Sequence, residues 1–158
     1  MTSTDSPSRA ARTSDPNADV VDPTLEADVV DPTLEADVFA RGCNSRAALQ
    51  NATGRWGALA LAALNEGPYR FSALRRRVDG VSERMLSQTL QTLERDGLVH
   101  REVLETIPPK VEYSLTDLGA DVAAKITALI ELLESQVPKI VASQASYDAR
   151  IQLSLSES

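Results

Sequence analysis

Apolar residues recur at helical spacing in residues 44–65. This pattern predicts a first helix over Asn44–Thr53 and, after Gly54, a second helix over Trp56–Asn65. Gly67-Pro68 then ends the second helix, because proline lacks the amide hydrogen that a helix requires. A third, short helix is expected to begin at Phe71-Ser72, with Ser72 as its N-cap.

A fourth helix is the most strongly patterned element of the sequence. Ser82 is expected to cap it, and the helix is expected to end at Asp96 with Gly97 just beyond it. At 100° per residue, one narrow arc carries the leucines, which predicts the face toward the core. The opposite arc carries long polar side chains: Arg84, Gln88, Gln91 and Arg95.

Period-two alternation follows the fourth helix and predicts a β-hairpin. Val99–Thr106 is rich in strand-forming residues, and Val111, Tyr113 and Leu115 alternate with polar residues. Ile107-Pro108-Pro109 lies between the two runs and predicts a stiff tip that stays outside the strand ladder. Lys110 beside this tip is expected to reach phosphate or an adjacent groove.

A long apolar stripe follows the hairpin. Thr116 is expected to cap a helix in which apolar residues recur every three or four positions up to Val137. Pro138 interrupts the pattern, and a short helix is expected at Lys139–Tyr147. A stripe of this length beyond a complete small domain requires a partner, and a second copy of the chain is the simplest one.

The order of these elements predicts a mainly α fold with a small β-hairpin wing. Three helices, a helix with a polar outer stripe and a hairpin form a winged helix-turn-helix, dimerised through terminal helices. The expected divisions are a disordered acidic tail at 1–38, a DNA-binding domain at 39–116, dimerisation helices at 117–150 and a disordered tail at 151–158. A helix with Arg and Gln on its outer stripe fits a recognition helix, because both side chains form bidentate bonds with base edges.

The net charge of −7 is unevenly distributed along the chain. Residues 1–40 hold nine acids and two arginines, whereas residues 41–113 hold eleven Lys/Arg and eight acids. The central segment is therefore mildly basic and is compatible with DNA binding, since the distribution of charge decides whether phosphate can approach. The densest basic cluster is Arg70, Arg75, Arg76, Arg77 and Arg84.

The acidic tail contains a repeat of nine residues. ADVVDPTLE occurs at Ala18–Glu26 and again at Ala27–Glu35, and Ala36-Asp37-Val38 begins a third copy. Two copies are too short for a solenoid, which needs a stacked core. Two interpretations remain open: a recent duplication in a linker, or an acidic peptide that docks on a partner or shields the basic surface.

Composition excludes several classes of site. Cys43 is the only cysteine, so neither an intrachain disulfide nor a zinc site built from several cysteines is available. His100 is the only histidine, and no phosphate-binding glycine loop is present, so we expect no enzyme, no cofactor and no metal site. No apolar run approaches the length of a membrane span, and no secretory signal is apparent, so a cytoplasmic location is expected.

The segment from Cys43 to Gly119 resembles the HxlR-type winged-helix transcription regulators. The resemblance is carried by Cys43, by Gly54-Arg55-Trp56, by GPYRFSALRRRVDGVSERMLSQTLQTLERDGLVHRE and by IPPKVEYSLTDLG. It implies a homodimer that binds double-stranded DNA at an inverted repeat near a promoter, with the first and last helices at the dimer interface. We expect such a regulator to act as a repressor. The sequence departs from the family pattern after the cysteine, where Asn44-Ser45 replaces Pro-Val.

The resemblance also implies roles for individual residues. Those that it assigns to DNA binding are Arg55, Ser72, Ser82, Arg84, Met85, Gln88 and Lys110. Arg75, from the basic cluster, is expected to bind DNA as well. Cys43 is expected to sense oxidants or electrophiles, as a cysteine at this position does in several family members. It precedes a helix and lies near Arg41 and Arg46, and both a helix N-terminus and nearby cations favour the reactive thiolate.

The sequence alone also allows alternatives to DNA reading and redox sensing. Cys43 can instead be an inert residue packed at the dimer seam, and the outer stripe can be an ordinary solvated face. The winged helix can serve protein contacts instead of DNA, or the regulator can sense a small ligand in a pocket between its domains.

Overall fold

The computed structural model of the chain describes residues 36–158, except for the side chain of Thr106. The two complete copies of the repeat, and most of the predicted acidic tail, lie outside the described residues. The described elements in chain order are α1 Asn44–Thr53, α2 Arg55–Leu64, β1 Tyr69–Arg70, α3 Phe71–Arg77, α4 Glu83–Arg95, β2 Val99–Thr106, β3 Pro109–Leu115, α5 Asp117–Ser135 and α6 Val137–Ser156. The mainly helical fold with a small wing is confirmed.

The sheet contains one strand that the sequence pattern did not predict. Its three antiparallel strands have the order β1-β3-β2, and β1 pairs with β3 through Tyr69 opposite Tyr113. A strand of two residues is too short to show alternation. β1 ties the start of α3 to the wing, where the Phe71 and Tyr113 rings lie with their centroids 6.4 Å apart.

The predicted cap of α3 was wrong. Arg70, with extended backbone at φ −73° and ψ 153°, is the N-cap, and Ser72 is the second residue of the helix. The reason is that β1 runs directly into α3, so its last residue takes the capping position. Leu74 and Val78 are buried on the inner side of α3 and its end.

The predicted boundaries of α4 agree with the structure to within a residue. The Ser82 hydroxyl accepts a hydrogen bond from the Met85 backbone amide at 3.1 Å, which satisfies a donor that the first turn leaves unpaired. Gly97 ends the helix at φ +75°, a conformation that glycine adopts without strain. The buried face consists of Leu86, Leu90 and Leu93.

The wing differs from its prediction at the tip. Pro109 lies inside the ladder as the first residue of β3, opposite Thr106. Proline is tolerated there because the first residue of a strand needs no amide donor. Only Ile107 and Pro108 separate the two strands.

One hydrophobic core connects the helices with the wing. α2 supplies Ala60, Leu61 and Leu64, and α4 supplies its three leucines. Leu98 and Val99 extend this core into the wing, and Ala123 and Ile126 extend it onto α5. The core therefore fixes α4 relative to both the wing and α5.

The C-terminal helix is longer than predicted. α6 continues to Ser156, beyond the expected end at Tyr147, so residues 151–156 of the predicted disordered tail are helical. Pro138 lies in the first turn of α6, where the missing amide donor is not needed, so it begins this helix rather than limiting it. No residue of α6 is buried. Among residues 36–158, no helix has the length and apolar content to cross a membrane.

Candidate nucleic-acid interface

The outer face of α4 is polar and open to solvent. Arg84, Gln88, Gln91 and Arg95 are all exposed, on the side of the helix opposite the buried leucines. Met85 also lies at the surface, 42% exposed, in the first turn of the helix. Because the three leucines anchor the inner face, the outer side chains project from a fixed support.

A shallow recess lies where α1, α2 and α4 meet. Arg55, Trp56 and Gln88 all line it. The Arg55 guanidinium carbon lies 4.5 Å from the centre of the Trp56 ring, which is a cation–π contact. Trp56 itself packs against the core, so it holds the guanidinium in place. The structure thus brings Arg55 and Gln88, which are distant in sequence, to one surface.

A second groove lies between α3 and the N-terminus of α4. Ser72, Arg75 and Ser82 line it, together with Arg76 and Glu83. Nη1 of Arg75 lies 4.0 Å from Oε2 of Glu83, and both side chains are largely exposed, so solvent weakens this pair. Ser82 and Glu83 join this groove to the outer face of α4. Six of the predicted DNA-binding residues therefore lie in this groove or on α4, and Arg55 lies in the recess beside it.

Lys110 stands apart from the other predicted residues. It lines neither recess, and its Nζ lies 3.0 Å from Oε2 of Glu105 on the neighbouring strand. Its charge is therefore partly offset by a carboxylate within the wing.

The cations on and beside α4 differ in whether a carboxylate neutralises them. In the described part of the chain, Arg55, Arg84 and Arg95 form no ion pair. Their charge remains available to an anion that approaches the outer face of α4.

Arg77 belongs to a separate network that sequence reasoning missed. Its Nε donates to both carboxylate oxygens of Glu66, at 3.1 and 3.0 Å, and its Nη2 also contacts Glu66. The Tyr69 hydroxyl donates to the same carboxylate at 2.7 Å. Hydrogen bonds from Arg77 and then from Tyr69 lower the pKa of Glu66 to about 2. Arg77 therefore has a structural role as the ion-pair partner of Glu66. The sequence had grouped it with the basic cluster because it follows Arg75 and Arg76.

Cys43 is the N-cap of α1 and is 6% exposed in the single chain. Its Sγ lies 2.8 Å from the Ser45 hydroxyl oxygen. This hydrogen bond is the main reason why the pKa of the thiol is lowered; burial opposes it, and the backbone amides of Arg46 and Ser45 add to it. The predicted lowering thus arises chiefly from the Ser45 side chain and not from the charges of Arg41 and Arg46.

A cleft lies between α2 and α5, at the junction of the winged domain with the C-terminal helices. A small-ligand sensor, the alternative interpretation of the sequence, would use this cleft. Apolar side chains such as Leu59 and Ile130 line it together with carboxylates such as Glu131. The Asn65 amide donates to the Thr127 hydroxyl at 3.3 Å at this junction. Among residues 36–158, no group of three or more His, Cys, Asp or Glu is arranged to hold a metal ion.

Comparisons with known proteins agree with this geometry. The HxlR-like helix-turn-helix family model matches residues 52–141. The chain is similar to the HTH-type transcriptional regulator YtfH of Escherichia coli (strain K12), with 50% identity over 105 residues that cover 66% of this chain and 83% of the relative.

Solved structures show the same likeness. YtfH from Salmonella typhimurium has 48% identity and a TM-score of 0.65, over 68% of this chain and 96% of that one. The reduced form of the redox regulator HypR has 35% identity and a TM-score of 0.57, over 62% of this chain and 97% of that one. The chain therefore belongs to the HxlR-like helix-turn-helix family and is a transcriptional regulator of the helix-turn-helix type with a winged-helix fold.

Proposed function

We propose that the chain binds double-stranded DNA sequence-specifically as a homodimer and acts as a repressor by occupying promoter DNA. The observation that carries this proposal is the outer face of α4. It presents Arg84 and Gln88 to solvent on a helix whose opposite face is anchored by buried leucines. A helix of this kind fits the major groove, where Arg reads guanine and Gln reads adenine through paired hydrogen bonds.

The residues around α4 supply contacts to the DNA backbone. Arg75 in the α3–α4 groove and Arg55 in the neighbouring recess flank the helix on two sides. Ser72 offers a hydroxyl, and the N-terminus of α4 offers positive dipole density to a phosphate. Lys110 on the wing is proposed to contact phosphate as well.

The exposed apolar surface of the two C-terminal helices supports a dimer. α5 exposes Leu129, Leu132 and Leu133, and α6 exposes further large apolar residues along its length: Val137, Ile140, Val141, Tyr147, Ile151, Leu153 and Leu155. Large apolar side chains left exposed on both helices favour an interface with a second copy. A twofold dimer then presents two copies of α4 to an inverted repeat, with half-sites about 34 Å apart in adjacent major grooves.

Cys43 is proposed to sense oxidants or electrophiles. The specific observations are the lowered pKa of its thiol and the likeness to HypR, which is described as a redox regulator. A lower pKa raises the fraction of thiolate, the form that reacts. Modification at the start of α1 would move one subunit against the other, and the two α4 helices would no longer match adjacent grooves.

A selection experiment tests the proposed function. Purified full-length protein is incubated with fragments of genomic DNA, and the bound fragments are sequenced. We expect enrichment of an inverted repeat whose half-sites are about one helical turn apart. Retention of fragments without any common sequence would contradict specific reading, and no retention at low salt would favour a protein-interaction module.

A further inference from the structure

We propose that the acidic repeat at residues 18–35 docks on the surface formed by Arg55 and the outer side of α4 in its own chain. There it competes with DNA for the same surface. The proposal rests on the proposed function, because the occupied face is the one assigned to DNA. It identifies the repeat as an internal regulator of affinity.

The sequence of the repeat matches the charge of that face. Residues 18–35 contain six carboxylates and no Lys or Arg. The face in turn presents Arg55, Arg84 and Arg95, which form no ion pair within the described residues. Arginine binds carboxylates and phosphates through the same paired hydrogen bonds, so both anions suit the same side chains.

The partial third copy of the repeat shows where the first two copies enter the described structure. Ala36-Asp37-Val38 continues the repeat directly. Val38 is partly buried and lines a small recess on α1 with Phe39, Arg46, Leu49 and Gln50. The end of the repeat therefore already lies against α1, beside a cation.

A continuous surface leads from this recess to α4. Gln50 lines the recess that contains Val38 and also the recess that contains Arg55 and Gln88. The two recesses are therefore adjacent, and a chain that arrives at Val38 lies next to the proposed DNA-reading surface.

The repeat is long enough to cover this surface. α1 has ten residues, which at 1.5 Å each gives a helix about 15 Å long. The eighteen residues of the two copies span up to about 60 Å when extended. Both copies can therefore reach Arg55 and the outer face of α4.

Covalent attachment makes even a weak contact an effective competitor. A segment tied to its site has an effective concentration in the millimolar range for a short linker. Since the attraction is between charges at the surface, it weakens as salt rises. At low salt, we therefore expect the repeat to lower the affinity of the chain for all DNA sequences, with the preference between sequences unchanged.

The test measures DNA affinity and the position of the repeat separately. The first variant carries D19N, D22N, E26Q, D28N, D31N and E35Q in the full-length chain. We expect it to bind DNA roughly threefold to tenfold more tightly than wild type at low salt, with a smaller gain at high salt. A control variant with the residues of 18–35 shuffled keeps composition and charge, so it separates the effect of charge from that of order.

The second measurement places a nitroxide at T24C in a C43S background and records NMR relaxation of backbone amides. We expect broadening at Arg55 and Gln88, none at Ile151 on α6, and recovery when duplex DNA is added. Unchanged affinity in the neutralised variant, or no broadening at Arg55 and Gln88, overturns the proposal. If no variant binds any duplex, the proposed function fails, while the broadening still decides whether the repeat docks.

Discussion

Gly119 lies against the carbonyl group of Leu98, so close that a Cβ at Gly119 would be 1.8 Å from the carbonyl oxygen. The same carbonyl accepts the Thr116 amide at 3.1 Å, and the Thr116 hydroxyl donates to the Gly97 carbonyl at 2.5 Å. This contact joins the first turn of α5 to the segment between α4 and the wing. It fixes the direction in which α5 leaves the winged domain, and hence the proposed spacing of α4 in a dimer.

Gly119→Ala is therefore expected to destabilise the protein. The clash is with backbone, which cannot move aside as a flexible side chain can, and we expect a loss of about 1–3 kcal/mol in the free energy of unfolding by urea denaturation. Helix propensity alone predicts the opposite, a gain of about 1 kcal/mol. Ala120→Gly, at the exposed neighbouring position, measures that propensity separately. A more stable Gly119→Ala protein would contradict the close contact.

The Glu66–Arg77 pair is expected to make stability depend on acid pH. The pKa of Glu66 falls from 4.5 to about 2 on folding, so the pair stabilises the fold fully above pH 4.5 and loses this contribution as pH falls toward 2. Thermal melts of wild type and Glu66→Gln should differ by a constant amount at higher pH and converge below 4.5. Glu94→Gln, an exposed acid on α4, serves as the control. A difference that persists unchanged in acid would show that the pair does not act through the carboxylate charge.

Much of the fold was predictable because its signals are local. α4 combines a serine cap, leucines on one arc and a terminal glycine, and β3 shows strict alternation. The features that were missed depend on contacts between distant segments. β1 has two residues and exists only because β3 pairs with it, and it moves the cap of α3 from Ser72 to Arg70.

The candidate site was only partly predictable for the same reason. The polar stripe of α4 follows from helical phase alone, whereas Arg55 entered through the family resemblance. The recess that Arg55 shares with Gln88 arises from the packing of α1, α2 and α4. Likewise, nothing local distinguishes Arg77 from its basic neighbours, because its partner Glu66 precedes it by eleven residues.

Lys110 is expected to contribute charge and not sequence recognition. Lys110→Ala should weaken binding to all duplexes nearly equally and lower the slope of log K against log salt by about one unit. Glu105→Gln removes the carboxylate 3.0 Å from the ammonium and should act in the opposite direction. Titrations of operator and random duplexes at several salt concentrations provide the measurement. A loss limited to one base position would contradict a phosphate contact.

The Ser45 hydroxyl is expected to control the reactivity of Cys43. Its hydrogen bond lowers the pKa of the thiol, so Ser45→Ala should raise that pKa and reduce the thiolate fraction at neutral pH. The rate of alkylation by iodoacetamide as a function of pH should shift to higher pH in this variant. Diamide should lower operator affinity in wild type and leave Cys43→Ser unchanged. Equal responses of wild type and Cys43→Ser would remove Cys43 as the sensor.

Sequence reading by α4 is tested by comparing the binding of α4 variants to operator and to random DNA. Arg84→Ala and Gln88→Ala should each reduce the preference for operator by about 1–3 kcal/mol, because each loses a paired hydrogen bond to a base edge. Lys125→Ala, which removes an exposed cation from α5, should leave the preference unchanged. Competition binding at fixed salt, with circular dichroism to confirm folding, gives the numbers. If both α4 variants fold and keep the wild-type preference, α4 does not read the DNA sequence.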